Sequence, residues 1–349
     1  MLALGRSLIK YMGWRVAIAV WAVLAAVAAE RPSAQVSVGG LHPSLAEAGP
    51  ETAWPLPPDG KGIFVFSIRA APLNAANQDI GLNPLLTWRQ LEPAEGFYDW
   101  RALDNALAQA LRTGTKVVPR VYTNGGSSLA ASPDWFFASP NARSYYPSAR
   151  ARTSNFKSPV PWDPAFQEKF GNFLRAFGQR YNGHSAIEFV QTNAGGGLFG
   201  EIVLTTQNMF PPGWSAALHQ SSIITWVDRW VEAFPNTPLS LMINPVGYNI
   251  AENAATYAAN RGVYLQQNSP TISAAAASIF RQHQHRTGIV LEVENGCRTA
   301  QGAAFDQMIN SVFSHGIAID YLVICPSSLS DAGTRGKLSS ILDRLRPTR

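Results

Sequence analysis

The amino-acid sequence predicts an α/β fold, a single (β/α)8 TIM barrel with a long loop between its third strand and third helix. Three observations carry that expectation. From Gly62 onward, short runs rich in β-branched and aromatic residues alternate with longer amphipathic stretches, the rhythm of repeated βα units on a parallel sheet. The alternation yields eight candidate strands, the number that closes such a barrel. Several of those strands put polar residues on one face and apolar residues on the other.

The strands are expected at Ile63–Ile68, Pro84–Trp88, Lys116–Tyr122, Ile187–Asn193, Leu239–Asn244, Val263–Gln267, Ile289–Glu294 and Tyr321–Cys325. Between them, a helix over Trp100–Arg112 follows Asp99 as N-cap. Another, over Ala165–Tyr181, follows Asp163-Pro164, with proline where a first-turn residue belongs. Further helices are expected at Ala216–Phe234, Glu252–Asn260, Ile272–His285, Ala300–Ser314 and Gly336–Leu345. An open doubly wound sheet is the competing arrangement, weakened because no glycine-rich phosphate loop follows the first strand. Residues 30–58, rich in Pro, Gly, Ala and Ser without periodicity, read as a strap or linker ahead of a barrel spanning 59–349.

Residues 1–29 have a different character. Arg6, Lys10 and Arg15 precede an unbroken apolar run, Val16–Ala29, that ends in small residues. That is the pattern of a cleaved signal peptide, and the run is shorter than the roughly 20 residues a membrane-spanning helix needs. A secreted or periplasmic protein with no stable span after cleavage is expected. The net charge of +5 then falls to +2, because the leader removes three of 28 basic residues and none of 23 acidic ones. No dense Lys/Arg run remains, which excludes a nucleic-acid partner. An oxidising compartment permits a disulfide between Cys297 and Cys325, the two cysteines of the chain, and the strand reading puts them on neighbouring strand ends. A monomer is expected.

The strand faces locate a candidate site. Val290, Glu292 and Glu294 share one face of their strand, as do Arg120 with Tyr122, Gln191 with Asn193, and Tyr264 with Gln266; Asn244 ends the fifth strand. Barrel enzymes place their sites at the C-terminal strand ends, and a buried carboxylate is costly without partners. Glu294, nearest the strand end, is the first choice for a reacting group. Glu292, a layer deeper, is a further catalytic candidate, although its depth fits an ion pair with Arg120 or Arg69 more readily. The bland alternative is that both carboxylates are merely paired. Arg69, Trp88, Arg120, Tyr122, Trp162, Asn193, Asn244 and Gln266 are candidates for substrate contacts. Trp88, Trp135, Tyr145, Tyr146, Trp162 and Trp214 lie on or beside loops after strands two to four, each a stacking platform or a core residue.

Trp88–Tyr122 (WRQLEPAEGFYDWRALDNALAQALRTGTKVVPRVY) resembles the second strand, helix and third strand of clan A glycoside hydrolases, most closely the β-galactosidase-like members. Val160–Asp163, Arg175–Gly183 and Glu294-Asn295-Gly296 are similar to shorter pieces of the same clan. The resemblance implies a carbohydrate substrate and cleavage by two carboxylates, with Glu294 as nucleophile. It also has a gap. Ala194 stands where the clan keeps its acid, and the next carboxylate is Glu201, at the end of a glycine-rich loop that could fold back over the barrel mouth. Glu201 is therefore the expected acid/base. The alternative function is a non-catalytic polysaccharide-binding barrel that has lost its acid.

The third loop, Thr123–Pro161, carries Arg143, Arg150 and Arg152, which allow an anionic sugar. Glu92 and Glu95 read as turn residues. The six histidines form no ligand set with inner-face carboxylates, so no metal and no cofactor is expected. His283 and His285, in a helix tail, are expected to face solvent. No G-x-S-x-G elbow supports a serine hydrolase.

Overall fold

The computed structural model describes residues 60–67, 80–194, 196–205, 208–244, 249–268, 272–292, 302–330 and 332–345. Arg69, Glu294, Asn295, Gly296 and Cys297 lie outside the described residues, as do the expected leader and strap. Eight parallel strands close on themselves: β1 (Gly62–Ser67), β2 (Ile80–Thr87), β3 (Arg120–Tyr122), β6 (Val190–Gln191), β7 (Leu239–Met242), β8 (Tyr264–Asn268), β9 (Ile289–Glu292) and β10 (Tyr321–Ile324), with β10 pairing back onto β1. The remaining pair, β4 (Ser144–Tyr145) and β5 (Ser158–Pro159), makes a small antiparallel ribbon inside the long third loop. The fold is the expected (β/α)8 barrel.

The helices ring the barrel because each buries one stripe. In α2 (Arg101–Thr113), which follows the single-turn α1 (Trp88–Leu91), Leu103, Ala106, Leu107 and Ala110 are buried, the i, i+3, i+4, i+7 spacing of one helix face. Its cap differs from expectation. Trp100 occupies the N-cap, while Asp99 sits one residue further out and accepts from the Arg101 amide. Two short helices in the third loop, α3 (Asp134–Ala138) and α4 (Ala149–Thr153), precede α5 (Pro164–Tyr181). Along α5, Phe166, Phe170, Phe173 and Phe177 form a continuous stack at centroid spacings of 5.4–5.7 Å. This stack packs against Trp226 of α6 (Ala216–Ala233).

The same stack corrects one expectation. Trp88 is fully buried against Phe136, Phe166 and Phe170, and its indole Nε1 donates to Glu92 Oε2 at 2.6 Å. It is a core residue with no face left for a sugar. Glu92 also accepts from the Gly96 amide, and Glu95 pairs with Lys169, so both are turn residues as expected. The circuit continues through α7 (Ile250–Asn260), α8 (Ala274–His283), α9 (Gly302–Phe313), α10 (Pro326–Ser330), α11 (Ala332–Arg335) and α12 (Leu338–Arg344). His283 is a second correction. It is buried beside Thr256 of α7, where burial depresses its basicity, whereas His285 is exposed. No helix among the described residues is long and apolar enough to cross a membrane.

Inside the barrel the side chains lie in tiers. The N-terminal floor is apolar and aromatic, built from Phe64, Val118, Phe189, Tyr264, Val290 and Tyr321. Two residues beyond Val118, Phe189, Tyr264 and Val290 the inward positions turn polar, at Arg120, Gln191, Gln266 and Glu292, while β1 and β10 continue with Phe66 and Val323. The change of chemistry marks the functional end.

Candidate active site

The polar tier above the floor is a closed network. Arg120 of β3 meets Glu292 of β9 in an ion pair with both side chains inaccessible to solvent. Arg120 Nε donates to Gln191 Oε1 at 2.6 Å, and Asn83 Nδ2 donates to the same oxygen at 2.8 Å. Gln191 Nε2 and Ser240 Oγ both donate to Gln266 Oε1, and Gln266 Nε2 donates to Glu292 Oε2. Burial opposes the Arg120 charge, but attraction to Glu292 outweighs it and holds the guanidinium above its ordinary range. The pair expected from sequence is therefore formed. Breaking such a pair leaves an uncompensated buried charge.

Glu201 sits at the mouth above this network. The chain leaves β6 through Ala194 at φ 41°, tightens through a short 3-10 turn, Leu198–Gly200, and returns Glu201 beside Met242 of β7 in a parallel bridge. Gly197 is required there, because an added Cβ would lie 1.2 Å from the Glu201 carbonyl oxygen. Backbone bonds pin the excursion: Phe199 N to Asn124 O at 2.9 Å, Leu198 N to Val203 O at 2.6 Å, and Ile202 N to Met242 O at 3.2 Å. Asn124 Nδ2 adds a bond to the Gly196 carbonyl, and His219 of α6 bonds the Ile202 carbonyl at 2.8 Å. The result is a carboxylate only 5% exposed. Asn244, just past β7, donates to its Oε2 at 2.6 Å, and Asn268 at the end of β8 donates to its Oε1 at 3.1 Å. Asn268 is in register with Glu292 on β9, so the Glu201 carboxylate hangs over the rung that the ion pair closes.

A buried acid at the C-terminal mouth of a closed parallel barrel is what the comparisons address. The β-galactosidase family model, glycoside hydrolase family 42, matches residues 79–219. That span covers the second to fourth barrel strands, the Trp88–Tyr122 block and the whole Glu201 loop. Over that span the chain is similar to glycoside hydrolases, and its fold is a (β/α)8 barrel. Among solved structures, the catalytic domain of a β-amylase from Paenibacillus polymyxa is similar at a TM-score of 0.58 and 11% identity, over 83% of this chain and 98% of that one. The exo-β-1,4-mannosidase Op5Man5 from Opitutaceae bacterium strain TAV5 is similar at a TM-score of 0.50 and 10% identity, over 82% of this chain and 57% of that one. No curated protein matches the chain.

The glycosidase fold gathers some of the residues chosen from sequence and disperses others. Arg120, Gln266 and Glu292 belong to the closed network, and the Tyr122 hydroxyl accepts from Arg120 at 3.1 Å while its ring meets Phe199 edge-on. Asn193 is buried and donates to the Val121 carbonyl at 3.0 Å. Asn244 touches Glu201 directly. Trp162 is 9% exposed and packs with Tyr145, Val160 and Leu204, so it walls the loops and presents no open face. Of the loop arginines, Arg143 is paired with Asp163 and Arg152 lies over the Tyr146 ring. Among the described residues no group of three or more His, Cys, Asp or Glu could hold a metal ion. Cys325 is disulfide-bonded, and the sequence has one other cysteine, Cys297. Asn268 and Asn124 were not anticipated. Asn268 had a signal, since it follows Gln266 by two residues on the same strand face.

Proposed function

We propose that the chain is an exported glycosidase that cuts an oligosaccharide or polysaccharide with retention of configuration, using Glu201 as acid/base and Glu294 as nucleophile. The observation that carries the reading is the inward Glu201 carboxylate, held by two amides at the ends of neighbouring strands. A proton passes from Glu201 to the leaving oxygen while Glu294 attacks the anomeric carbon; water, deprotonated by Glu201, then releases the sugar. Retention requires the two carboxyl groups about 5–5.5 Å apart. Glu292, neutralised by Arg120, supports the rung beneath and takes no part in bond cleavage.

The substrate is longer than one sugar on this reading. Phe210, 41% exposed, stacks on Trp214 at 4.3 Å and 22° on the loop that also carries Glu201. A solvent-facing ring backed by a second ring suits the C–H face of a pyranose. The engagement of Arg143 and Arg152 within the loop removes most of the support for an anionic sugar. Export rests on the leader pattern of residues 1–29.

The test is hydrolysis of a panel of p-nitrophenyl and 2,4-dinitrophenyl glycosides, with the first-formed anomer read by proton NMR. Glu201→Gln should lower turnover on the p-nitrophenyl substrate by roughly 10²–10⁴-fold and spare the dinitrophenyl one, whose leaving group needs no proton. Equal turnover of Glu201→Gln and the parent on both would overturn the assignment. Ala194 in the clan's acid position favours a second reading, a polysaccharide binder, whose signature is sugar binding with no turnover across the panel. N-terminal sequencing that finds Met1 on the recovered soluble protein would overturn export.

A further inference from the structure

We infer that Asn244 is a two-way partner of Glu201: it donates to the carboxylate and, after a half-turn of its amide, accepts from the carboxylic acid. The inference rests on Glu201 being the acid/base. Asn244 is buried, its Nδ2 donates to Glu201 Oε2 at 2.6 Å, and among the described residues nothing hydrogen-bonds its Oδ1. A buried amide oxygen without a donor costs about 1–3 kcal/mol, and native structures rarely keep one without a use. Here the use lies one rotation away.

An amide is nearly symmetric in shape, and a 180° turn about its last side-chain bond exchanges oxygen for nitrogen. An ionised Glu201 only accepts, so it needs Nδ2. A protonated Glu201 Oε2 donates, and Nδ2 facing it would set donor against donor. The half-turn replaces that clash with a bond into the orphan Oδ1. Asn268 keeps Oε1 in place at 3.1 Å meanwhile. The two-step reaction asks for both states of Glu201. The acid gives its proton to the leaving oxygen as the C–O bond breaks and the bonding pair departs with that oxygen. The carboxylate later takes a proton from the water that attacks the glycosyl-enzyme. Asn244 transfers nothing in either step; it is a positioning residue that meets each state with the right polarity.

Among the described residues, several other charged or titratable groups pack around the loop. Arg120 and Glu292 beneath it neutralise each other. The Tyr122 hydroxyl is bonded to Arg120, and burial pushes the Tyr145 hydroxyl, beside Leu204, far up. His219, on the Ile202 carbonyl, is pushed down by burial to about 4.

The test uses ligand-free full-length protein. The carboxylic-acid stretching band of Glu201, assigned by its loss in Glu201→Gln, is followed with pH by difference infrared spectroscopy. Asn244→Leu, which neither donates nor accepts, should leave the midpoint within about 0.5 unit of the parent, because both states lose a bond. Asn244→Asp accepts and adds a like charge, so it should raise the midpoint by about one unit or more. A midpoint raised by a full unit in Asn244→Leu would overturn the inference, making Asn244 a donor only. If Asn244→Leu does not fold, neutron diffraction of the parent decides: deuterium on the atom facing Glu201 above the midpoint and none below it supports the half-turn, and one orientation at both pH values defeats it. None of these measurements needs turnover, so a Glu201→Gln enzyme that still hydrolyses every substrate would remove the acid/base reading, and with it the use of the half-turn in catalysis, while the half-turn itself is decided separately by the infrared and neutron data.

Discussion

Glu292 and Glu201 are two buried glutamates in adjacent rungs of one barrel, and they arrive there by different routes. Glu292 is a strand residue, placed by its pairing with β8 and β10. Glu201 comes from a loop that leaves β6, turns through left-handed residues and re-enters beside β7. Glu292 faces a guanidinium, whereas the described hydrogen bonds to the Glu201 side chain come from two amides. A full opposite charge ties Glu292 into the scaffold, where removing either partner would leave a buried charge uncompensated. On the proposed function, the loop-borne Glu201 is the acid that does the chemistry.

The largest effect that follows is on stability. Arg120→Met should cost about 3–5 kcal/mol, because it strands Glu292 without a partner in a site closed to water. Adding Glu292→Leu to the same chain should restore much of the loss, since two apolar side chains replace two buried charges. Glu201→Gln should shift stability by less than about 1 kcal/mol. Urea denaturation of the four proteins measures all three, and an Arg120→Met protein as stable as the parent would break the comparison at its base.

Loop delivery has its own weak point at Gly197. A methyl group there collides with the Glu201 carbonyl at 1.2 Å, so the backbone must move and carry the carboxylate with it. Gly197→Ala should therefore reduce turnover roughly 100-fold, the scale of a 1 Å misplacement, while the ion-pair tier and its barrel stay folded. Steady-state kinetics with a parallel circular dichroism spectrum would show whether the two effects separate.

The contrast also explains what the sequence disclosed. Eight strands were legible as short apolar runs between turn signals, and the inner faces because side chains alternate with period two, although the second runs Ile80–Thr87, starting before the expected Pro84, and gives Trp88 to a helix. The Arg120–Glu292 pair followed from those faces. Glu201 could be named because glycines mark a loop able to fold back, but its partners could not, since the strand over Val263–Gln267 was ended one residue before Asn268. Trp88 was misjudged for a different reason. Its burial depends on Phe166 and Phe170, nearly eighty residues away in sequence, and no local pattern reports that contact. His283 likewise owes its burial to Thr256 of the preceding helix.

The Glu201 loop carries a pH-dependent tie. His219 holds the Ile202 carbonyl, and burial lowers its folded pKa to about 4 from an ordinary 6.5. The unfolded chain thus binds this proton more readily. Stability from this group is complete above pH 6.5, declines as pH falls through that value, and levels off below about 4. The decline should be on the order of 2–3 kcal/mol. His219→Gln should flatten this part of the profile between pH 7 and 4.5; identical slopes in the two proteins would show that His219 does not link the loop to pH.

The smallest expected effect tests whether the loop brings the substrate as well as the acid. Phe210 is exposed, so Phe210→Ala should change stability by no more than about 0.5 kcal/mol. An aromatic contact of this kind contributes about 0.5–1.5 kcal/mol, which is roughly a 2- to 12-fold rise in KM. If the ring pair forms an outer subsite, that rise should appear on a tetrasaccharide or longer chain and be absent on a p-nitrophenyl monosaccharide. kcat should hold on both if Phe210 serves binding alone. A rise shared equally by the long and short substrates would place Phe210 in the reaction site itself. No change on either would leave the Phe210–Trp214 stack as packing, and the loop would then deliver the acid alone.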